Sequence, residues 1–294
     1  MEKRQGRRAF WVAFVAMLFC LSVMEMAAVL WTRPQRLGEG TLRPETEEEP
    51  LQAVLLPQKE DRLEVVVLSG DEERAEHILL AQLDPVGGAV RLAALPGTVR
   101  LQPEGKSLGE RYALDGVDGV YQELGAALGW RPQRWAYFEE SALAKAVDLV
   151  GTVRFAVPWR EEIRQGSVTV QLEAGEQLLT GSQAEALLRS PNQPGEVERY
   201  RMLTEFAAAA VDQYFALAPT EAGRQLFEAV WNLGKSDLGS FDWEQRRRSA
   251  EFLAQLDPHP AQAEELHWED GVLKEESRQA LRAWRPDGEE ADGE

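Results

Sequence analysis

Two carboxylates stand on either side of the break between two apolar runs. Asp71 closes the run Leu63–Asp71, LEVVVLSGD, and Glu76 precedes the next, HILLAQLD. Carboxylate oxygens at strand ends are hard donors, and such a pair can hold a divalent cation, although strand-end acids also serve as solvated or capping groups. A third stretch, RLAALPGTVR (Arg91–Arg100), reads as the end of a buried strand running into a tight turn, a place where catalytic groups are often presented. It holds no carboxylate and no histidine, and its only charges stand at its two ends. The three histidines, His77, His259 and His267, have no Cys or His neighbour at ligand spacing, which argues against a metal role for any of them. The one cysteine, Cys20, lies in an apolar segment, so no disulfide framework or Cys nucleophile is available elsewhere.

The elements that must position these groups are legible from periodicity. LEVVVLS and HILLAQLD are short, branched-rich runs bounded by turns and predict buried strands. AVRLAAL should pair with the second of them through the turn Asp84-Pro85-Val86-Gly87-Gly88. Asp115–Leu128 places Val117, Val120, Tyr121, Leu124 and Leu128 on one helical face, which reads as ordinary core. QRWAYF predicts a strand, ESALAKAVDLVG a short helix opened near Ser141, and TVRFAVP a further strand. SVTVQLEAGEQLLTGSQAEALLR predicts a strand, a loop and a helix capped by Ser182. Gly195–Phe215 aligns Val197, Tyr200, Leu203, Phe206, Ala210, Val211 and Tyr214 on a longer helix. This alternation predicts an α/β fold, a mixed central sheet flanked by helices on both faces. From about residue 217 the chain is more polar and helical, an extension packing on the same domain, and the acidic end 287–294 reads as disordered. The tryptophans from Trp130 onward read as packing residues.

Of 294 residues with a formal net charge of −18, residues 1–36 carry six Lys/Arg against Glu2 and Glu25, leaving −22 on the remainder. That balance excludes nucleic acid as a direct partner. Ala9–Trp31 is an apolar stretch of 23 residues with one charge, long enough to cross a bilayer and longer than a signal-peptide core. The cluster Lys3, Arg4, Arg7 and Arg8 predicts a cytoplasmic tail (1–8), a membrane helix (9–31), an extracytoplasmic linker (32–61) and an extracytoplasmic domain (62–286).

The order and spacing of several segments resemble the LytR-CpsA-Psr family of Gram-positive envelope proteins. VVVLSGD is similar to the family's first strand ending in Gly-Ser/Thr-Asp, matched by Gly70 and Asp71. RAEHILLAQLDP, YALDG, DLVGTVRFAVP, LEAGEQLLTGSQAEALLRS and GEVERYRMLTEF follow in the family's order over some 150 residues. The resemblance implies a phosphotransferase that moves glycopolymers from a polyprenyl pyrophosphate carrier onto peptidoglycan with a divalent cation such as Mg²⁺. By that resemblance Arg74, Arg189 and Arg199 are the catalytic and substrate-binding cations, and Asp71 and Glu76 the metal ligands.

The departures are equally specific. Where active members read Ser-Ile-Pro-Arg-Asp, this chain has Ala94-Leu95-Pro96-Gly97-Thr98, and further family arginines fall at Pro191 and Glu196. Phosphoryl transfer rests on preorganised positive charge, and losing one such contact typically lowers the rate by about 10²–10³. The expectation is therefore a membrane-anchored envelope protein with a degenerate or weakly active site, its partner a polyprenyl (pyro)phosphate-linked glycopolymer or peptidoglycan. The alternatives are a non-catalytic regulatory or scaffold module and an enzyme with rearranged residues. If only charges are missing, Gly97→Arg, Thr98→Asp and Glu196→Arg should rebuild much of the site.

Overall fold

The computed structural model describes residues 56–71, 74–165 and 168–285. The expected membrane span, the linker before residue 56 and the acidic tail lie outside them; among the described residues no helix is long and apolar enough to cross a membrane. In chain order the elements are β1 (Leu63–Asp71), β2 (Arg74–Asp84), β3 (Ala89–Pro96), α1 (Leu108–Leu128), β4 (Arg134–Glu139), α2 (Ala142–Val150), β5 (Val153–Val157), β6 (Glu161–Gln165), β7 (Val168–Leu172), β8 (Gly175–Leu179) and α3 (Gly181–Leu188). There follow α4 (Glu196–Tyr214), α5 (Glu221–Trp231), β9 (Lys235–Ser236), α6 (Ser240–Leu256), β10 (Ala261–Ala263), β11 (Trp268–Glu269), β12 (Val272–Leu273) and α7 (Glu275–Arg282).

The central sheet is mixed, as expected, with strand order β10-β3-β2-β1-β4-β9. β1, β2 and β3 form an antiparallel meander, turning at Asp84, whose carboxylate accepts the Gly87 N–H at 2.9 Å. β4 lies parallel to β1 after the crossover through α1. The apolar run Val65–Leu68 of β1 fits a strand covered on both faces, one of them fully and the other in part. On one face Val66, Leu68, Ile78 and Leu80 are sealed against Val120 and Leu124 of α1 and against Leu281 and Trp284. On the other face Val67, Ser69 and Leu79 are only partly buried and line a cavity beneath α2, α4 and α5.

Three details differ from the sequence expectation. First, α1 begins earlier than expected, at Leu108, and breaks at Gly116 (φ 62°, ψ −145°), so the helix read from Asp115 onward forms its second part. Ser107 and Glu110 form a reciprocal cap, with the Glu110 N–H donating to Ser107 Oγ at 3.2 Å and the Ser107 N–H to Glu110 Oε2 at 2.8 Å. Second, GEQLL is the strand β8 rather than a loop, and α3 is capped by Thr180 instead of Ser182, the Thr180 N–H reaching Gln183 Oε1 at 3.0 Å. β5–β8 and β6–β7 stand outside the main sheet as separate pairs around their own core, where Phe155 meets Phe206 at 5.4 Å. Third, the C-terminal part does more than pack on the domain: it supplies both edge strands, β9 and β10. Its Trp284 also stacks on Trp130 at 6.2 Å, which confirms the packing role expected for those two rings.

Candidate functional site

The cavity between the sheet and α2, α4 and α5 has a volume of about 250 Å³. Its body is apolar: Val67 and Leu79 from the sheet, Phe138 from β4, Leu143 and Ala146 from α2, Leu203 from α4 and Val230 from α5. Its polar lining is His77, Glu140, Arg189, Arg199, Tyr200 and Ser69. The polar end follows from topology. β1 and β4 are parallel and end together, so Glu140, the residue after β4, lies beside the carboxyl end of β1. The antiparallel β2 begins at that same end, as do α4 and the turn after β3. Ligand sites of open α/β sheets recur at such strand ends.

A β-bulge aims two β2 side chains. Ser69 pairs with His77 and Gly70 with Ala75, so Glu76 is the extra residue. The bulge folds tightly over Gly70, where a Cβ would lie 2.2 Å from the Arg74 carbonyl oxygen; only glycine fits there. Donor atoms of Glu76, His77 and Glu140 consequently lie within 4.8 Å of one another. Two carboxylates that close repel by about 1–3 kcal/mol at an effective dielectric constant of 20–80. Arg189 offsets part of this, its Nη2 donating to Glu140 Oε2 at 2.8 Å.

His77 Nδ1 lies 2.6 Å from the Tyr200 hydroxyl, which also donates to the Glu76 carbonyl at 3.2 Å. The hydroxyl thus ties the His77 ring to the backbone of Glu76, and its single proton serves one of these two contacts at a time. Burial holds the His77 pKa below the ordinary imidazole value, against the opposing pull of Glu76 and Glu140, so the ring is neutral at pH 7. Burial likewise pushes the Tyr200 phenol well above its usual range.

Among the residues anticipated from sequence, Arg189 and Arg199 line one cavity. Arg199 Nε is buried with no hydrogen-bond partner among the described residues. Arg74 is exposed at the start of β2, opposite Asp71 across the end of the β1–β2 pair, and neither lines the cavity. Glu76 converges with His77 and Glu140, and Asp71 stands outside that group. Sequence reasoning found no role for His77 and missed Glu140 and Tyr200. The pair Glu139-Glu140 at the end of QRWAYF was an available signal, whereas the convergence of His77 and Tyr200, 123 residues apart, was not. Glu196, which stands at a family arginine position, accepts the Trp268 indole N–H at 3.2 Å.

The turn after β3 corrects an expectation. Gly97 has no positive φ, yet a Cβ there would lie 1.8 Å from the Ala75 carbonyl oxygen. Its N–H donates to the Glu76 carbonyl at 2.7 Å and its carbonyl accepts the Gly109 N–H at 2.7 Å. The backbone occupies the space that an arginine side chain would need, so adding charge at this position cannot by itself rebuild the site.

The sequence matches the LytR_cpsA_psr family over residues 39–242. No curated relative matches it. Among solved structures, a Eubacterium siraeum protein assigned to transcription regulation is 14% identical, with 84% of this chain and 98% of that one covered at a TM-score of 0.70. A LytR-Csp2A-Psr enzyme from Actinomyces oris is 21% identical over 76% of this chain and 89% of its own, at a TM-score of 0.59. TagT, bound to LIIa-WTA, is 15% identical over 79% and 93%, at a TM-score of 0.55. At these identities the likeness establishes the fold alone.

Proposed function

Because this chain belongs to the LytR_cpsA_psr family, we propose that it is a membrane-anchored, extracytoplasmic envelope protein that binds a polyprenyl phosphate or pyrophosphate lipid. In this reading it is a weakly active relative of the phosphotransferases that attach glycopolymers to peptidoglycan. One observation carries the proposal: an apolar cavity ends at two arginines, one of which, Arg199, has a buried Nε without a partner. The tail takes the apolar body, and the phosphate oxygens take Arg199 and, in exchange for Glu140, Arg189. A guanidinium fork suits phosphate because it donates two parallel charge-assisted bonds. The complex of TagT with LIIa-WTA supports a glycopolymer-linked substrate for this chain.

Weak transfer follows from the missing charge. Gly97 contributes none and admits none, and Glu196 is a carboxylate. The same loss favours the second reading, a non-catalytic module in which the pocket holds lipid for regulation or scaffolding. The family's Mg²⁺ calls for a shell of oxygen donors. The donors that converge here include an imidazole and exclude Asp71, so they do not fit that ion, and no step is assigned to it.

The test uses the full chain in lipid nanodiscs, with polyprenyl phosphate binding and the release of polyprenyl phosphate from a pyrophosphate-linked glycopolymer both measured. Saturable binding that weakens about 10–100-fold in Arg199→Ala is expected, the equivalent of one charged hydrogen bond. Folded protein that binds no lipid would overturn the reading. Release that stops on substituting Glu196 would identify an enzyme with rearranged residues.

A further inference from the structure

We propose that a second pocket binds a small amphipathic carboxylate, its acyl chain or ring in the apolar body and its carboxylate against Arg246 and Arg247. The pocket has a volume of about 140 Å³ and a floor made by Leu63 of β1 and Leu83 of β2, which are paired. Leu63, Val67 and Ser69 alternate onto one face of the sheet, so this pocket and the cavity share that face. They lie toward its opposite ends, with Leu63 about 13 Å before Val67 along the strand. Phe215, Phe227 and Ala250 form the apolar walls. Apolar cavities of about this size admit a group as large as a benzene ring. The two pockets have no lining residue in common, and the inference does not rest on the lipid-phosphate reading.

A buried cation short of an acceptor gives the pocket its chemistry. Arg246 lines it at 8% exposure, and its Nε is buried with no hydrogen-bond partner among the described residues. Its other nitrogens are occupied, Nη1 donating to Gln245 Oε1 at 2.9 Å and Nη2 to Gln133 Oε1 at 3.2 Å. The carboxylates nearby are committed. Asp242, also on the wall, accepts from Arg134 Nε and from the Gly239 N–H, each at 3.0 Å, and lies 3.6 Å from Arg246 Nη1. Asp84 accepts from Arg62 Nε at 2.8 Å, and Glu64 from the Gln82 amide at 3.2 Å. A buried charged donor left unpaired is costly, so Arg246 Nε favours an acceptor brought by a ligand. Arg62, whose carbonyl accepts from Arg246 Nη2 at 3.4 Å, holds a second buried nitrogen without a partner among the described residues, Nη1. Arg247 adds a half-buried guanidinium to the same wall. In a chain of net charge −18 this local gathering of arginines selects an anion. A carboxylate has two oxygens, one for Arg246 Nε–H and one for Arg247, and the bonds are charge-assisted. The apolar remainder of the ligand is what the walls accept.

The test titrates octanoate into the full chain in nanodiscs, against empty nanodiscs, with octanol, acetate and inorganic phosphate as comparisons. Binding is followed by calorimetry and by the nitrogen NMR signal of the Arg246 Nε–H, identified by its loss in Arg246→Lys. One octanoate per chain is expected, bound at least about 10-fold more tightly than any of the three comparisons, with the Arg246 signal shifted on binding. Arg247→Gln, at the rim, should weaken binding by about 10-fold. Ala250→Leu, which fills the pocket, should abolish it, with unchanged circular dichroism in both variants. Octanol equal to octanoate would show that no carboxylate is recognised, and phosphate or acetate equal to octanoate that no apolar group is; either would overturn the assignment. So would an Arg246 signal that does not respond, or octanoate binding indifferent to Arg247→Gln and Ala250→Leu. Binding abolished by Ala146→Phe and kept in Ala250→Leu would put octanoate in the first cavity and overturn the second site. Octanoate binding that persists in Arg199→Ala leaves this site standing whatever becomes of the lipid reading.

Discussion

Gly97 shows how one residue decides what chemistry a turn can carry. With no side chain to meet the Ala75 carbonyl, Gly97 comes close enough to donate its N–H to the Glu76 carbonyl, and that bond helps hold the bulge presenting Glu76 and His77. Even a methyl group there must displace backbone. Gly97→Ala should therefore destabilise the fold by about 2–4 kcal/mol, read as a lower urea midpoint at unchanged slope. Native stability in Gly97→Arg would show that the turn has more room than described. A second residue-scale prediction concerns Glu64, buried on β1 beside Arg62 and Arg246, with the Gln82 amide donating to it at 3.2 Å. Desolvation raises its pKa above the ordinary 4.5, outweighing the hydrogen bond and the two arginines. The folded state then binds this proton more tightly than the unfolded chain, so its contribution to stability falls as pH rises from 4.5 through the raised value. Glu64→Gln should raise the melting temperature at pH 8, with the gain vanishing below pH 4.5. An equal shift at both pH values would show that packing, not ionisation, is responsible.

At the scale of elements, the two faces of the central sheet are used differently. The α1 face is packed solid, and the face toward α2, α4 and α5 keeps a void lined by partly buried side chains. α4 is apolar on more than one side: Leu203 borders the void, Met202 and Phe206 enter the second core, and Thr204 accepts the Ala94 N–H at 3.0 Å. If the void is where a lipid tail lies, filling it should abolish binding without harming the fold. Ala146→Phe, reaching into the void from α2, is expected to remove polyprenyl phosphate binding in a fluorescence assay while changing stability by less than about 1.5 kcal/mol. Retained binding in a folded Ala146→Phe protein would move the tail elsewhere.

On the scale of the whole molecule, the C-terminal part completes the sheet. β10 pairs with β3 over Ala261–Ala263, and Leu266, Leu273, Leu281 and Trp284 enter the α1-side core. Deleting residues 257–294 exposes that core and an unpaired edge of β3, so the truncated domain should lose cooperative unfolding and near-ultraviolet dichroism. A cooperative transition in the truncated chain would show that the sheet is stable without β10. The basic flank before the 23-residue apolar stretch 9–31 makes a separate prediction, that the domain following it lies outside the cell. Protease added to intact protoplasts should remove it, and complete protection would overturn the topology.

Local pattern was enough to read the strands β1 to β5, the apolar face of α1 and the mixed α/β character from the sequence, because burial on a strand or helix imposes its own period. Ser107 and Glu110 made the true start of α1 legible too, in a cap signature that apolar periodicity alone passed over. The pairings of β9 and β10 were not legible, since strands of two and three residues carry almost no period and are defined by the neighbour they bond. Nor was the polar end of the cavity. Glu76, His77, Glu140, Arg189, Arg199 and Tyr200 come from four separated segments, and their distances are set by one bulge, one parallel strand pair and the approach of α4. Residue types and their order determined what chemistry this chain has to offer. Only the tertiary structure decided which of those groups meet, because side chains far apart in sequence are brought within a hydrogen bond of each other by packing alone.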